Sequence, residues 1–210
     1  MIKAVIFDMD GVIVDSEPIH YRLNKELFEK LQLNITEEEY RNFVGVTDWD
    51  MWSVIKERHR RPETVEELLA IHREHSRSEM QKLELEPIPG VLKLLNRLKA
   101  ANLKLAIASS APVDWIQVVV SKCQIESYFD VLVSGEHVVH GKPAPDIFLL
   151  AAEKLQVPPS ECLVIEDAER GVRAAKAAGM QCIGYQNPNS YGQNLSLADR
   201  IIYHMDELTL

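Results

Sequence analysis

A doubly wound parallel α/β sheet, with a helical domain inserted after its first strand, is the fold this sequence predicts. Three observations predict it. From Lys104 onward, short apolar runs alternate with amphipathic segments of helical period. Near the start, the strand-like run Lys3–Phe7 ends abruptly in Asp8-Met9-Asp10-Gly11. Between the two, residues 16–86 carry helical patterns and no convincing strand.

Taken in order, Lys3–Phe7 is a short apolar run of the kind found in strands buried on both faces. After it, Ile19, Leu23, Leu27 and Leu31 fall on one helical face. Thr36-Glu37-Glu38-Glu39 has the form of a capping box ahead of Tyr40 and Phe43. Helices are further expected over Asp48–Arg58 and Thr64–Leu85, with Trp49 and Trp52 in the core of the insertion or, alternatively, lining the pocket. Pro87-Ile88-Pro89-Gly90 then punctuates the chain. Helices follow over Gly90–Ala101, Val113–Cys123, Pro145–Leu155 and Glu169–Ala178. They alternate with strands over Lys104–Ala108, Val131–Val133, Cys162–Ile165, Gln181–Tyr185 and, more weakly patterned, Arg200–Tyr203. Gly179 stands where a helix C-cap glycine belongs. The division expected is a core of residues 1–15 and 87–210 and a helical cap of residues 16–86. The cap leaves the sheet just beyond the two aspartates, where it would cover them as a lid.

Composition narrows the function classes. The 210 residues are 46% hydrophobic and 26% charged, enough for one core plus a smaller insertion. With 32 acidic against 23 basic residues, the net charge of −9 argues against nucleic-acid and anionic-membrane binding. No apolar stretch reaches membrane-span length, and the N-terminal segment lacks the apolar region of a signal peptide. Cys123, Cys162 and Cys182 are widely spaced, with no CxxC, and are expected as reduced buried thiols. These features lead to the expectation of a cytoplasmic protein, monomeric by default.

The chemistry lies at the strand ends. A carboxylate at the end of a buried strand is costly unless something there uses it. In open α/β sheets, ligands bind outside the carboxyl ends of the strands. Asp8 and Asp10, two apart on extended backbone, are expected to point the same way and share a site, with Gly11 permitting a tight turn beneath a ligand. Leu105–Ala108 runs into Ser109-Ser110, and Leu163–Ile165 into Glu166-Asp167. Lys142 sits in the loop His140-Gly141-Lys142-Pro143-Ala144-Pro145 ahead of a helix. A parallel sheet gathers all of these on one edge. Four carboxylates so gathered repel one another, and a hard divalent cation relieves the repulsion. Mg²⁺ suits such a set, because it takes one or two carboxylates, waters and a substrate phosphate. No His/Cys set has zinc spacing. The Lys142 ammonium and the Ser109 hydroxyl suit phosphate oxygens. Phosphoryl transfer then has a nucleophile in Asp8, forming an aspartyl-phosphate, and a general acid/base in Asp10. Blander readings exist for each residue. Asp167 and Ser109 could cap helices, Ser110 could take over from Ser109, and Lys142 alone would be a surface lysine. The set as a whole carries the assignment.

In order, Asp8-Met9-Asp10-Gly11-Val12, Ser109, Lys142 and Glu166-Asp167 resemble the four signature motifs of the haloacid dehalogenase superfamily, over essentially the whole chain. The insertion after Asp15-Ser16-Glu17-Pro18, Gly141-Lys142-Pro143-Ala144-Pro145-Asp146 and Glu166-Asp167-Ala168-Glu169-Arg170-Gly171 are similar to the subgroup of β-phosphoglucomutase and small sugar-phosphate phosphatases. The resemblance implies Mg²⁺ held by Asp8, the main-chain carbonyl of Asp10, and Asp167, with Glu166 nearby or acting through water. It implies that Ser109 and Lys142 hold the transferring phosphoryl group; Gly11, Ser110 and His20 are the expected substrate contacts. In the mutase branch a histidine placed like His20 works with a lid lysine, and Arg77 falls near that place. That branch also carries an arginine after a Gly-x-Ser/Thr element, for the substrate's second phosphate. Here Gly45-Val46-Thr47 is followed by Asp48, an anion that would repel one.

The expectation is a Mg²⁺-dependent phosphatase acting on a small phosphorylated metabolite such as a sugar phosphate. A sugar-phosphate mutase is the alternative within the family. A phospho-aspartate receiver module is the alternative outside it, although the insertion after the first strand does not suit a receiver.

Overall fold

The computed structural model describes residues 1–43, 46–80, 82–190 and 192–209. Gly45 of the Gly45–Asp48 element and Gln81 of the expected fourth cap helix lie outside the described residues.

The chain divides into two compact units, Met1–Glu17 with Glu84–Leu210, and Pro18–Leu83. The first is built on six parallel strands: β1 (Ala4–Phe7), β2 (Lys104–Ser109), β3 (Val131–Ser134), β4 (Cys162–Glu166), β5 (Gln181–Tyr185) and β6 (Arg200–Ile202). Their order across the sheet is β3-β2-β1-β4-β5-β6. Winding therefore reverses between β1 and β4, where the register pairs Phe7 with Ile165. That is the crevice in which such sheets bind ligands. All four β1 residues are fully buried, as a strand covered on both faces must be.

Four helices of this unit pack on the sheet: α5 (Val91–Ala100), α6 (Val113–Lys122), α7 (Asp146–Leu155) and α8 (Glu169–Ala177). Strand alternation assigns their faces. Ala4, Ile6, Ala106, Ala108, Cys162 and Val164 join Phe148 and Ala151 of α7 and Val172 and Ala175 of α8 in one apolar cluster. Phe7 points the other way, edge-on to Phe129 at 5.9 Å between ring centroids. Beyond Phe7, the backbone folds into a buried turn in which Ile13 N–H donates to Met9 O at 2.8 Å and Gly11 N–H to Val14 O at 2.7 Å. Ile88 N–H donates to Ile13 O at 2.8 Å, so the chain leaves and re-enters this unit side by side. The cysteines are free and buried.

The second unit holds α1 (Glu17–Lys30, whose first residue belongs to the sheet unit), α2 (Glu37–Arg41), α3 (Asp48–His59) and α4 (Val65–Met80). Leu23, Leu27, Phe28, Trp52, Ile55 and Leu68 make its core. The capping box forms as the sequence implies, with Glu39 N–H on Thr36 Oγ1 and the Glu39 carboxylate on Thr36 N–H. Two expectations fail here. Trp49 is half-exposed, while Trp52 is buried. Helix α4 ends at Met80 rather than Leu85, because Leu83 and Leu85 are buried between exposed Lys82, Glu84 and Glu86, the period of extended chain. No helix among the described residues is long and apolar enough to cross a membrane.

Candidate active site

Strand geometry gathers the charged groups at the crevice between β1 and β4. Asp8 stands two residues beyond Ile6, and its N–H still pairs with Ile165 O at 2.9 Å, so its side chain keeps the face of Ile6. Glu166 shares that face through Val164. Lys142 reaches both from the loop ahead of α7. Its Nζ lies 2.5 Å from Asp8 Oδ1, 2.8 Å from Glu166 Oε1 and 3.2 Å from Ala108 O, with the Phe148 ring 4.9 Å away. All three charged side chains are buried. Arg170 Nε holds the Lys142 carbonyl at 3.1 Å. Glu166 Oε2 accepts from Ala168 N–H at 2.7 Å, so both Glu166 oxygens are engaged by the protein.

Asp167 closes the cluster. Ligand oxygens of Asp8, Glu166 and Asp167 all lie within 4.8 Å of one another. The Ser190 hydroxyl donates to Asp167 Oδ2. Gly11 lies against Asp167: a Cβ at position 11 would stand 2.0 Å from Asp167 Oδ2, and the backbone there has φ +79°. Asn187 Nδ2 donates to Gly11 O at 2.9 Å and fixes that turn. Gly171 gives Glu166 the same room, since a Cβ there would meet its Oε1 at 1.6 Å.

Three buried carboxylates against one ammonium leave two negative charges, and the electrostatics carry that excess. Burial pushes the Asp8 carboxyl well above its usual range, against the pull of Lys142. Burial and then Glu166 push Asp167 up to about 7. Burial works against the Lys142 ammonium, but Asp8 and Glu166 outweigh it and hold the pKa above the ordinary lysine value. Lys142 therefore keeps its proton. An all-oxygen donor set with a surplus of two negative charges fits a hard divalent cation.

Asp10 stands just beyond the end of β1 and bonds to β2 and α6. Its Oδ2 accepts from Ser109 Oγ at 3.3 Å and its Oδ1 from Trp115 Nε1 at 3.1 Å. Ser109 follows Ile107 on the opposite face of β2 from Ala108, the side of α6, and accepts from Ala111 N–H at 3.0 Å. Asp10 remains close enough to raise the Asp8 pKa. Ser110 is exposed beside buried Ser109. His20 belongs to the helical unit, half-buried on α1, and Arg77 is exposed in the last turn of α4. Asp48 opens α3, with its Oδ2 3.8 Å from His72 Nδ1.

Sequence reasoning missed Asn187, Ser190, Arg170 and Trp115. The first two were findable: Gln186-Asn187-Pro188-Asn189-Ser190 is a polar loop at the carboxyl end of β5, subject to the rule that singled out Ser109 and Glu166.

Known proteins share this arrangement's sequence and fold. The sequence model described as haloacid dehalogenase-like hydrolase matches residues 5–185. The chain is 35% identical over 181 residues to a phosphorylated carbohydrates phosphatase of Thermotoga maritima, covering 86% of this chain and 83% of that protein. It is 32% identical over 217 residues to β-phosphoglucomutase of Bacillus subtilis, covering 99% and 92%. The crystal structure of CbbY from Rhodobacter sphaeroides in complex with phosphate superposes with a TM-score of 0.85 at 30% identity, over 99% of this chain and 96% of that one. Fold, buried acidic cluster and sequence agree: the chain belongs to the haloacid dehalogenase-like hydrolases.

Proposed function

We propose that this haloacid dehalogenase-like phosphatase hydrolyses a small phosphorylated carbohydrate through an aspartyl-phosphate on Asp8. The observation that carries the proposal is the buried cluster of Asp8, Glu166 and Asp167 around Lys142, with Asp10 beside it. The carbohydrate substrate class rests on the phosphorylated carbohydrates phosphatase relative. Asp8, Asp167 and the Asp10 carbonyl would hold Mg²⁺, with Glu166 behind them. When bound, the ion neutralises charge on the cluster and the phosphoryl oxygens.

Asp8 attacks phosphorus as the bond to the carbohydrate oxygen breaks, and Asp10 gives that oxygen its proton. Asp10 then takes a proton from water as the water attacks the aspartyl-phosphate. Inorganic phosphate leaves and Asp8 is restored. Lys142 pulls against the burial that disfavours ionised Asp8 and, with Ser109, meets the phosphoryl oxygens. Gly11 and Ser110 border that position. His20 and Asp48 belong to the helical unit, and Asp48 stands where the resembled mutase branch carries an arginine.

A phosphate-release screen over phosphorylated carbohydrates, with Mg²⁺ and with chelator, tests the proposal. Metal-dependent multiple turnover on at least one sugar monophosphate is expected. Turnover unaffected by chelator, or none on any sugar phosphate, would overturn it. On β-glucose 1-phosphate, free phosphate supports hydrolysis, and glucose 6-phosphate as the main product would make the protein a mutase.

A further inference from the structure

We infer that Trp115 is a positioning residue for proton delivery: its indole N–H pins one oxygen of Asp10, so that the other serves the leaving group. This rests on the acid/base role proposed for Asp10.

Trp115 lies in the first turn of α6 and is 2% exposed. Its Nε1 donates to Asp10 Oδ1 at 3.1 Å, while Oδ2 faces Ser109 Oγ at 3.3 Å. Burial alone does not dictate such a bond, because the indole Nε1 of fully buried Trp52 finds no partner among the described residues. The two donors differ in kind. A serine hydroxyl can donate or accept by rotating, but an indole nitrogen only donates. While the Trp115 bond is in place it occupies one lone pair of Oδ1 and makes that oxygen the less basic of the two. That favours Oδ2 as the oxygen that carries and delivers the proton, on the side of Ser109, the residue proposed to meet the phosphoryl group. Trp115 is also stiff: it has two side-chain torsions and is wedged beside Ile116, Val119 and Val120 in the buried face of α6. A rigid donor on a half-buried carboxylate fixes where the acid points, as proximity catalysis requires.

Dependence on the leaving group separates this role from packing. An alkyl phosphate needs the proton as its oxygen departs, whereas p-nitrophenolate departs without one. The quantity to read is kcat/KM, which covers the steps up to leaving-group departure. Two variants remove the N–H: Trp115→Phe, and an isosteric benzothienylalanine at position 115 that keeps the ring shape. In both, the loss on the best sugar phosphate should exceed the loss on p-nitrophenyl phosphate by about tenfold or more, part of the 10²–10⁴ that general acid–base catalysis supplies. Equal losses on the two esters, or no loss in the isostere, would overturn the inference. Asp10→Asn separates this from failure of the parent reading. If Asp10→Asn also loses both esters equally, Asp10 is not the acid and the reading fails. If Asp10→Asn is selective and neither position-115 variant is, only the role of Trp115 falls.

Discussion

Asp8 is tolerable at the end of a buried strand because Lys142 reaches it through Ala108 and Phe148, and because Gly11 leaves room for Asp167 beside it. Each of these contacts can be broken singly. Asp8→Asn should lower turnover by at least about a thousandfold, as loss of a nucleophile does, while keeping a single cooperative thermal transition. Substantial activity in the folded variant would rule Asp8 out. Gly11→Ala combines a φ of +79° with a Cβ 2.0 Å from Asp167 Oδ2. It should cost about 1–3 kcal/mol in urea denaturation, and should raise the Mg²⁺ concentration for half-activation about tenfold or more. At this scale, Asp8, Lys142, Glu166 and Asp167 were legible because each sits where a parallel sheet exposes its strand ends. Trp115 was not, because a tryptophan on an amphipathic helix looks like core and only coordinates reveal its N–H on Asp10.

Strands and helices of the sheet unit were the most legible elements. Their apolar runs are bounded by turn residues, and observed ends differ from expected ones by about one residue. One misreading comes from a periodicity carried past the point where the backbone changes. Extending helical period through Leu85 overlooked the alternation of Lys82, Leu83, Glu84, Leu85 and Glu86. Helix α3 offers an element-scale test. Thr47 caps it, with Oγ1 accepting from Asp50 N–H at 3.1 Å, one residue ahead of Asp48. Thr47→Ala should destabilise the protein by about 1 kcal/mol in urea denaturation.

Across the whole molecule, reversal of winding between β1 and β4 brings side chains more than 150 residues apart in sequence into one buried, over-charged cluster. The rule for parallel sheets makes that convergence readable in the chain; the pairing of Lys142 with two carboxylates is not, since loop side chains have no fixed direction in sequence. The excess charge predicts a pH dependence. Without metal, native Asp167 holds its proton up to about 7, against an ordinary value of 3.8. The native state therefore binds more protons between these values, and the group's contribution to stability is complete below 3.8 and lost as pH rises through 7. In chelator, the Tm of the wild type relative to Asp167→Asn should fall as pH rises from about 4 to about 8. Adding Mg²⁺ should raise the wild-type Tm more at the upper end, because the ion binds the ionised carboxylate, and should move Asp167→Asn little. A Tm difference independent of pH would contradict the buried-charge account. The central claim, two successive displacements at phosphorus through Asp8, is tested most directly by stereochemistry. Hydrolysis in ¹⁷O-water of a sugar phosphorothioate made chiral at phosphorus with ¹⁶O and ¹⁸O should return inorganic thiophosphate with retained configuration, and inversion would mean a single direct attack by water and contradict the account.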